Sequence, residues 1–339
     1  MFLLICILIM WAMIFGMAFF YIGSLKEALA PRMLYQFTLA IIVATVAWLF
    51  GAYFLAFEGH WSSVVTAGHL SLYRILDILF QLCFCLYAVV MFIGSIIDRV
   101  KTRSLLLAVF VWVFLVYSPL AYLIWRPEGF LAQMGVEDFS GGIVVHLSAG
   151  LSTYVLAYYK GRTDHIHDKL REEWLYLGMI LVTLGWFGFN VVPVGQLNDA
   201  AGQVLLNTLL AIISGGLAWS LASYFSTKEE SSLALLNGMI VGLVTSTAGV
   251  GYLDALPIVI VTFLASFLTY FLTDAISKKL SVDDVVDPFG MNGIGGLLGS
   301  LGVIVFHPHI IGAQLLAIAI ASLLSLLVTW AIARFIMAS

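Results

Sequence analysis

Two residues inside long apolar runs carry chemistry that such runs rarely hold. His146 sits in Val144-Val145-His146-Leu147-Ser148, and Asn292 in Gly290-Met291-Asn292-Gly293. A neutral imidazole accepts a proton or a hydrogen bond, whereas an amide donates and accepts but takes up no proton at accessible pH. Each also admits a plainer role, as a hydrogen bond between helices. Two carboxylates stand just ahead of these groups, in Asp138-Phe139-Ser140-Gly141-Gly142 and Asp287-Pro288-Phe289-Gly290. At the head of a helix, Asp138 and Asp287 cap free backbone N–H groups and complement the dipole. Beside a pore mouth, Asp138 would also favour cations without touching them. Aromatic faces attract a cation that has shed water, by up to about 2 kcal/mol per contact. Phe80, Phe84, Trp125 and Phe189 are candidates for that role. On residue type alone the phenylalanines pass equally as core, and Trp125 as part of an interfacial aromatic belt.

What must position these groups is a bundle of membrane helices. The 339 residues are 62% hydrophobic and 10% charged, with a mean hydropathy of +1.07, whereas soluble domains are roughly a quarter charged. That excludes a water-soluble fold. The net charge of -4 comes without a basic stripe, so nucleic acid is not a partner. Cys6, Cys83 and Cys85 lie in apolar runs and read as small core hydrophobes. The first 24 residues lack the positive leading segment of a secretory signal and read as the first membrane helix.

Spans of about 20 apolar residues fall near 1 to 24, 35 to 57, 72 to 97, 104 to 125, 141 to 159, 174 to 192, 203 to 225, 232 to 250, 255 to 276, 289 to 306 and 310 to 336. Eleven is odd, so the termini face opposite sides. Thirteen of the fifteen lysines and arginines fall on one side, with only Arg74 and Arg126 on the other. By the positive-inside rule the N-terminus is outside and the C-terminus cytoplasmic. The Asp-led segments open the fifth and tenth spans, an offset of five. That is the pattern of an inverted repeat of five plus five helices with one added, and such repeats place their site near the bilayer midplane. Glycines cluster in both segments and permit close helix approach.

The residues at these places resemble the ammonium transporter, methylamine permease and Rhesus family. The likeness rests on Asp138 through Gly150 (DFSGGIVVHLSAG), Leu184 through Asn190 (LGWFGFN) and Val282 through Gly296 (VDDVVDPFGMNGIGG). Phe19 through Gly23 and Phe80 through Phe84 add to it more weakly. The resemblance implies the ammonium transporter fold, a homotrimer in the plasma membrane with one narrow pore per subunit, no cofactor, and ammonium as the recognised ion. It implies an outer ammonium site at Phe84 and Trp125 with Asp138 nearby, a gate of Phe84 and Phe189, and a pore lined by His146.

Three departures bear on function. Asn292 stands where the family has its second pore histidine, so a relay between two imidazoles is lost. Pro193 stands where the outer-site serine is expected and offers no polar side chain. The chain stops soon after Arg334, whereas typical members continue into a cytoplasmic tail. Residues 1 to 339 are therefore expected to form a single membrane domain, naturally short or the membrane part of something longer, since some members are fused there to a signalling module. The expected function is an ammonium sensor with impaired transport; the alternative is an active ammonium transporter. An enzyme is not expected: no nucleophile and base lie at useful spacing. His165 and His167 read as part of a solvated charged loop, and His307 and His309, in the last external loop, are uninformative.

Overall fold

The computed structural model describes residues 1–161, 170–280 and 289–337. Asp287, His165 and His167 lie outside the described residues. Among the described residues eleven helices follow one another: α1 (Phe2–Ser24), α2 (Glu27–Phe57), α3 (Leu72–Phe92), α4 (Thr102–Gln133), α5 (Gly142–Lys160), α6 (Glu172–Val194), α7 (Asp199–Thr227), α8 (Ser232–Ser246), α9 (Ala255–Ile276), α10 (Phe289–Phe306) and α11 (Pro308–Ile336). Ten are long and apolar enough to cross a membrane, and α8 is shorter. No strand occurs among the described residues.

Local sequence sets several helix starts. The Ser71 hydroxyl accepts the Arg74 N–H at 3.3 Å, the Asn198 amide oxygen that of Ala201 at 3.0 Å, and Ser231 that of Ala234 at 3.2 Å. Two apolar runs end earlier as helix than as composition. The third stops at Phe92, because the chain turns at Gly94 and Ser95, whose hydroxyl reaches the Thr153 carbonyl at 2.9 Å. The eighth stops at Ser246, where the Ser246 and Thr247 hydroxyls bond back to Leu243 and Val244 carbonyls at 2.7 and 2.6 Å.

The two halves meet element on corresponding element. Helix α1 packs against α6, and α5 against α10. Small residues make both crossings possible: a Cβ on Gly178 would lie 2.9 Å from the Gly16 carbonyl oxygen, and one on Gly150 only 2.2 Å from the Gly293 nitrogen. Both α5 and α10 open with a widened π-helical turn, Gly142–Leu147 and Phe289–Ile294. Such turns re-aim side chains and leave backbone groups without regular partners, and they recur at functional sites. His146 lies in the first turn and Asn292 in the second.

Helix α11 is fastened to both ends of α5. At one end the Gln314 side chain accepts the Glu137 N–H at 3.1 Å and donates to the Glu137 carbonyl at 2.9 Å. His307 Nδ1 lies 2.7 Å from the Glu137 carboxylate in the same place. At the other end Lys160 donates to the Met337 carbonyl at 2.6 Å.

Candidate functional site

A cavity of about 290 Å³ opens between α3, α4 and the segment leading into α5. Phe80, Phe84, Trp125 and Tyr252 present rings to it, and Asp138 and Pro193 form part of its wall. The Phe84 and Trp125 rings meet edge to face, with centroids 5.4 Å apart. Trp125 is held by its indole N–H, which donates to the Asp138 carbonyl at 2.7 Å. The Asp138 carboxylate turns instead into the start of α5, where it accepts the N–H groups of Ile143 at 2.9 Å and Val144 at 3.0 Å. It therefore caps the helix while its main chain steadies the tryptophan. Burial pushes the Asp138 carboxyl up to about 7, against the backbone N–H groups of Val144, Ile143 and Gly142, which act to lower it.

Phe189 stands behind Phe84, with ring centroids 4.2 Å apart and planes tilted by 40°. Both side chains are buried, and the pair stands between the cavity and the groups behind it. Beyond it lies His146, with no exposed surface. Its ring stacks on Trp186 at 5.3 Å and 4°, and Tyr87 meets it edge to face at 6.0 Å. His146 Nδ1 lies 2.9 Å from the Asn292 amide oxygen, while Nε2 is buried with no hydrogen-bond partner among the described residues. The residues that the resemblance and the polar groups in apolar runs single out thus form one column: an aromatic pocket at Phe84, Trp125 and Asp138, the pair Phe84 and Phe189, and the buried contact of His146 with Asn292.

This column sits in a recognisable chain. The Ammonium Transporter Family matches residues 1–338. The chain belongs to that family. It is 29% identical over 322 residues to the ammonium transporter of Bacillus subtilis (strain 168), covering 90% of this chain and 79% of the relative. It is 27% identical over 346 residues to ammonium transporter Amt1 of Archaeoglobus fulgidus, covering 95% and 88%. Among solved structures it resembles Saccharomyces cerevisiae Mep2, with a TM-score of 0.87 at 24% identity, covering 98% of this chain and 83% of the other. A structure described as a sensor Amt protein gives a TM-score of 0.91 at 21% identity, covering 98% and 91%. At these identities the structural likenesses speak for the fold.

Within the family frame, several wall and chamber residues escape sequence reasoning. Trp186 stands in the quoted Leu184 to Asn190 segment and Gln81 in Phe80 to Phe84, yet residue type gives no hint that one is the platform under His146 and the other lines the pocket. Tyr252 comes from the α8–α9 connection, far along the chain. His307, uninformative in the sequence, is half-buried against Glu137.

Proposed function

We propose that this protein recognises ammonium in the outer aromatic pocket without relaying its proton through the chamber beyond, and so works as an ammonium receptor. The observation that carries the reading is the pairing of His146 with Asn292 at 2.9 Å. An amide in the second place holds the imidazole but takes up no proton, so no chain of two titrating groups spans the chamber. Ammonium and potassium have nearly equal size and charge, so selection must use ammonium's N–H donors and its acidity. Ring faces steady the cation while it loses water. Family membership supports ammonium as the recognised ion.

The same proposal includes a homotrimer in the plasma membrane, one pore per subunit. Its N-terminus is outside and its C-terminus cytoplasmic, which the distribution of thirteen of fifteen positive residues supports. Residues 1 to 339 act as one membrane domain. Binding would favour one of two states of the bundle and pass to a cytoplasmic signalling partner through the end of α11.

A second reading, transport with one histidine, is favoured by the free His146 Nε2 and by the names of the relatives. Charge movement in proteoliposomes on a solid-supported membrane after an ammonium pulse separates the two. A receptor gives only a brief transient whose decay does not change with protein density. A sustained current that tracks density and is abolished in His146→Ala establishes transport and removes the receptor assignment.

A further inference from the structure

The geometry points to a divalent transition-metal site where the connection between α10 and α11 meets the segment before α5, with His307 and His309 as ligands and Glu137 as the group that orients the first of them. His307 Nδ1 stands 3.0 and 2.7 Å from the two Glu137 carboxylate oxygens. An ionised carboxylate only accepts, so Nδ1 carries the hydrogen and Nε2 keeps its lone pair. That nitrogen bonds to nothing among the described residues, and with 29% of the side chain exposed it is not sealed from solvent. A metal-bound histidine characteristically donates its other ring N–H to a carboxylate, which fixes the ring and raises the basicity of the ligand nitrogen.

A second imidazole stands beside it. His309 is exposed, and its ring centroid lies 5.7 Å from that of His307. Two imidazoles sharing a tetrahedral ion, each nitrogen about 2 Å from it, keep their centroids roughly 5 to 6 Å apart. The frame behind them is stiff. Pro308 separates the two histidines and starts the short turn Pro308–Ile310, while Gln314 holds the Glu137 main chain at 3.1 and 2.9 Å. No three histidine, cysteine or acidic side chains gather as ligands among the described residues, so water completes the shell and the ion exchanges with solution. Imidazole donors suit zinc, copper and nickel, whereas magnesium and calcium take oxygen. A contact that only fastened the connection would call for His307 and Glu137 alone and predicts no bound metal.

The test titrates the detergent-solubilised full chain, purified without a histidine tag, with zinc by calorimetry. His165→Gln and His167→Gln are present throughout, which removes the other pair of histidines two apart, in Asp164-His165-Ile166-His167-Asp168. A single zinc per chain is expected to bind. His309→Ala is expected to weaken it about a hundredfold, the lower end of what a second linked ligand contributes. Glu137→Ala is expected to weaken it about tenfold, the usual loss on removing an orienting carboxylate. Copper(II) in the same parent should show two nitrogen ligands by electron paramagnetic resonance, and one in His309→Ala. The exposed His309 can be replaced without disturbing the core, so that arm decides alone should Glu137→Ala not stay monodisperse. No zinc binding in the parent overturns the inference, as does equal binding in His309→Ala, which would place the ion elsewhere. Unchanged affinity in Glu137→Ala overturns the orienting role of the carboxylate.

Discussion

His146 Nδ1 and the Asn292 amide oxygen stand 2.9 Å apart, and that contact fixes a tautomer. A carbonyl-type oxygen only accepts, so the Nδ1 atom carries the hydrogen and Nε2 keeps its lone pair. The lone pair has no partner among the described residues and is ringed by Tyr87, Trp186 and Phe189. One imidazole can therefore take a hydrogen bond from a guest, while its neighbour cannot carry the proton onward.

Replacing the amide by an imidazole should restore the missing carrier. In Asn292→His, a sustained density-dependent current is expected after an ammonium pulse where the unmodified protein gives a transient only. His146→Ala in that background should abolish it. A current absent from Asn292→His would show that some other feature of the chamber blocks passage.

The two phenylalanines in contact should separate in their effects. Phe84 lines the pocket as well as closing it, and Phe189 stands behind. Phe84→Ala loses a cation-facing ring, and calorimetry should show ammonium affinity lowered by about tenfold, in keeping with up to about 2 kcal/mol for a desolvated contact. Phe189→Ala should leave ammonium affinity nearly unchanged while raising the osmotic water permeability of proteoliposomes. Equal losses of affinity in the two variants would speak against separate recognition and closure.

Ammonium binding should depend on pH through Asp138. Its carboxyl is pushed up to about 7 by burial, so it is ionised above that pH and neutral below it. Ammonium itself stays protonated throughout this range, and a negative charge beside the pocket favours the cation. Affinity measured by calorimetry is thus expected to fall as pH drops from 8 to 6, assay values chosen about one unit either side of the midpoint. Asp138→Asn should bind more weakly at pH 8 and show no such step. A step that persists in Asp138→Asn would place the titrating group elsewhere.

How legible the site is from sequence depends on whether a residue stands out against its surroundings. His146, Asn292 and the Asp138 segment do, because polar groups in apolar runs demand an explanation; their offset of five spans also anticipates the meeting of α5 with α10. Trp125 and Phe84 are ordinary residues for a membrane chain, and only the resemblance singles them out. Gln81 and Trp186 acquire their places from neighbours on α4, α5 and the segment before it, which no local pattern encodes. The widened turns at Gly142–Leu147 and Phe289–Ile294 carry no period of their own in the sequence. Likewise, the ends of α3 and α8 follow from side-chain hydroxyls bonding the main chain, which hydropathy does not count.

Helix α11 holds both ends of α5 at once. Through Gln314 it grips the residue before Asp138, and through Met337 it receives Lys160. Its 29 residues make a rod about 43 Å long at the rise of an α-helix. A rod pinned at each end short-circuits the barrier: a small displacement of the outer wall arrives at the far face along one element, without anything crossing the lumen. On the receptor reading proposed above, occupancy of the pocket would be read from the far side along this one rod.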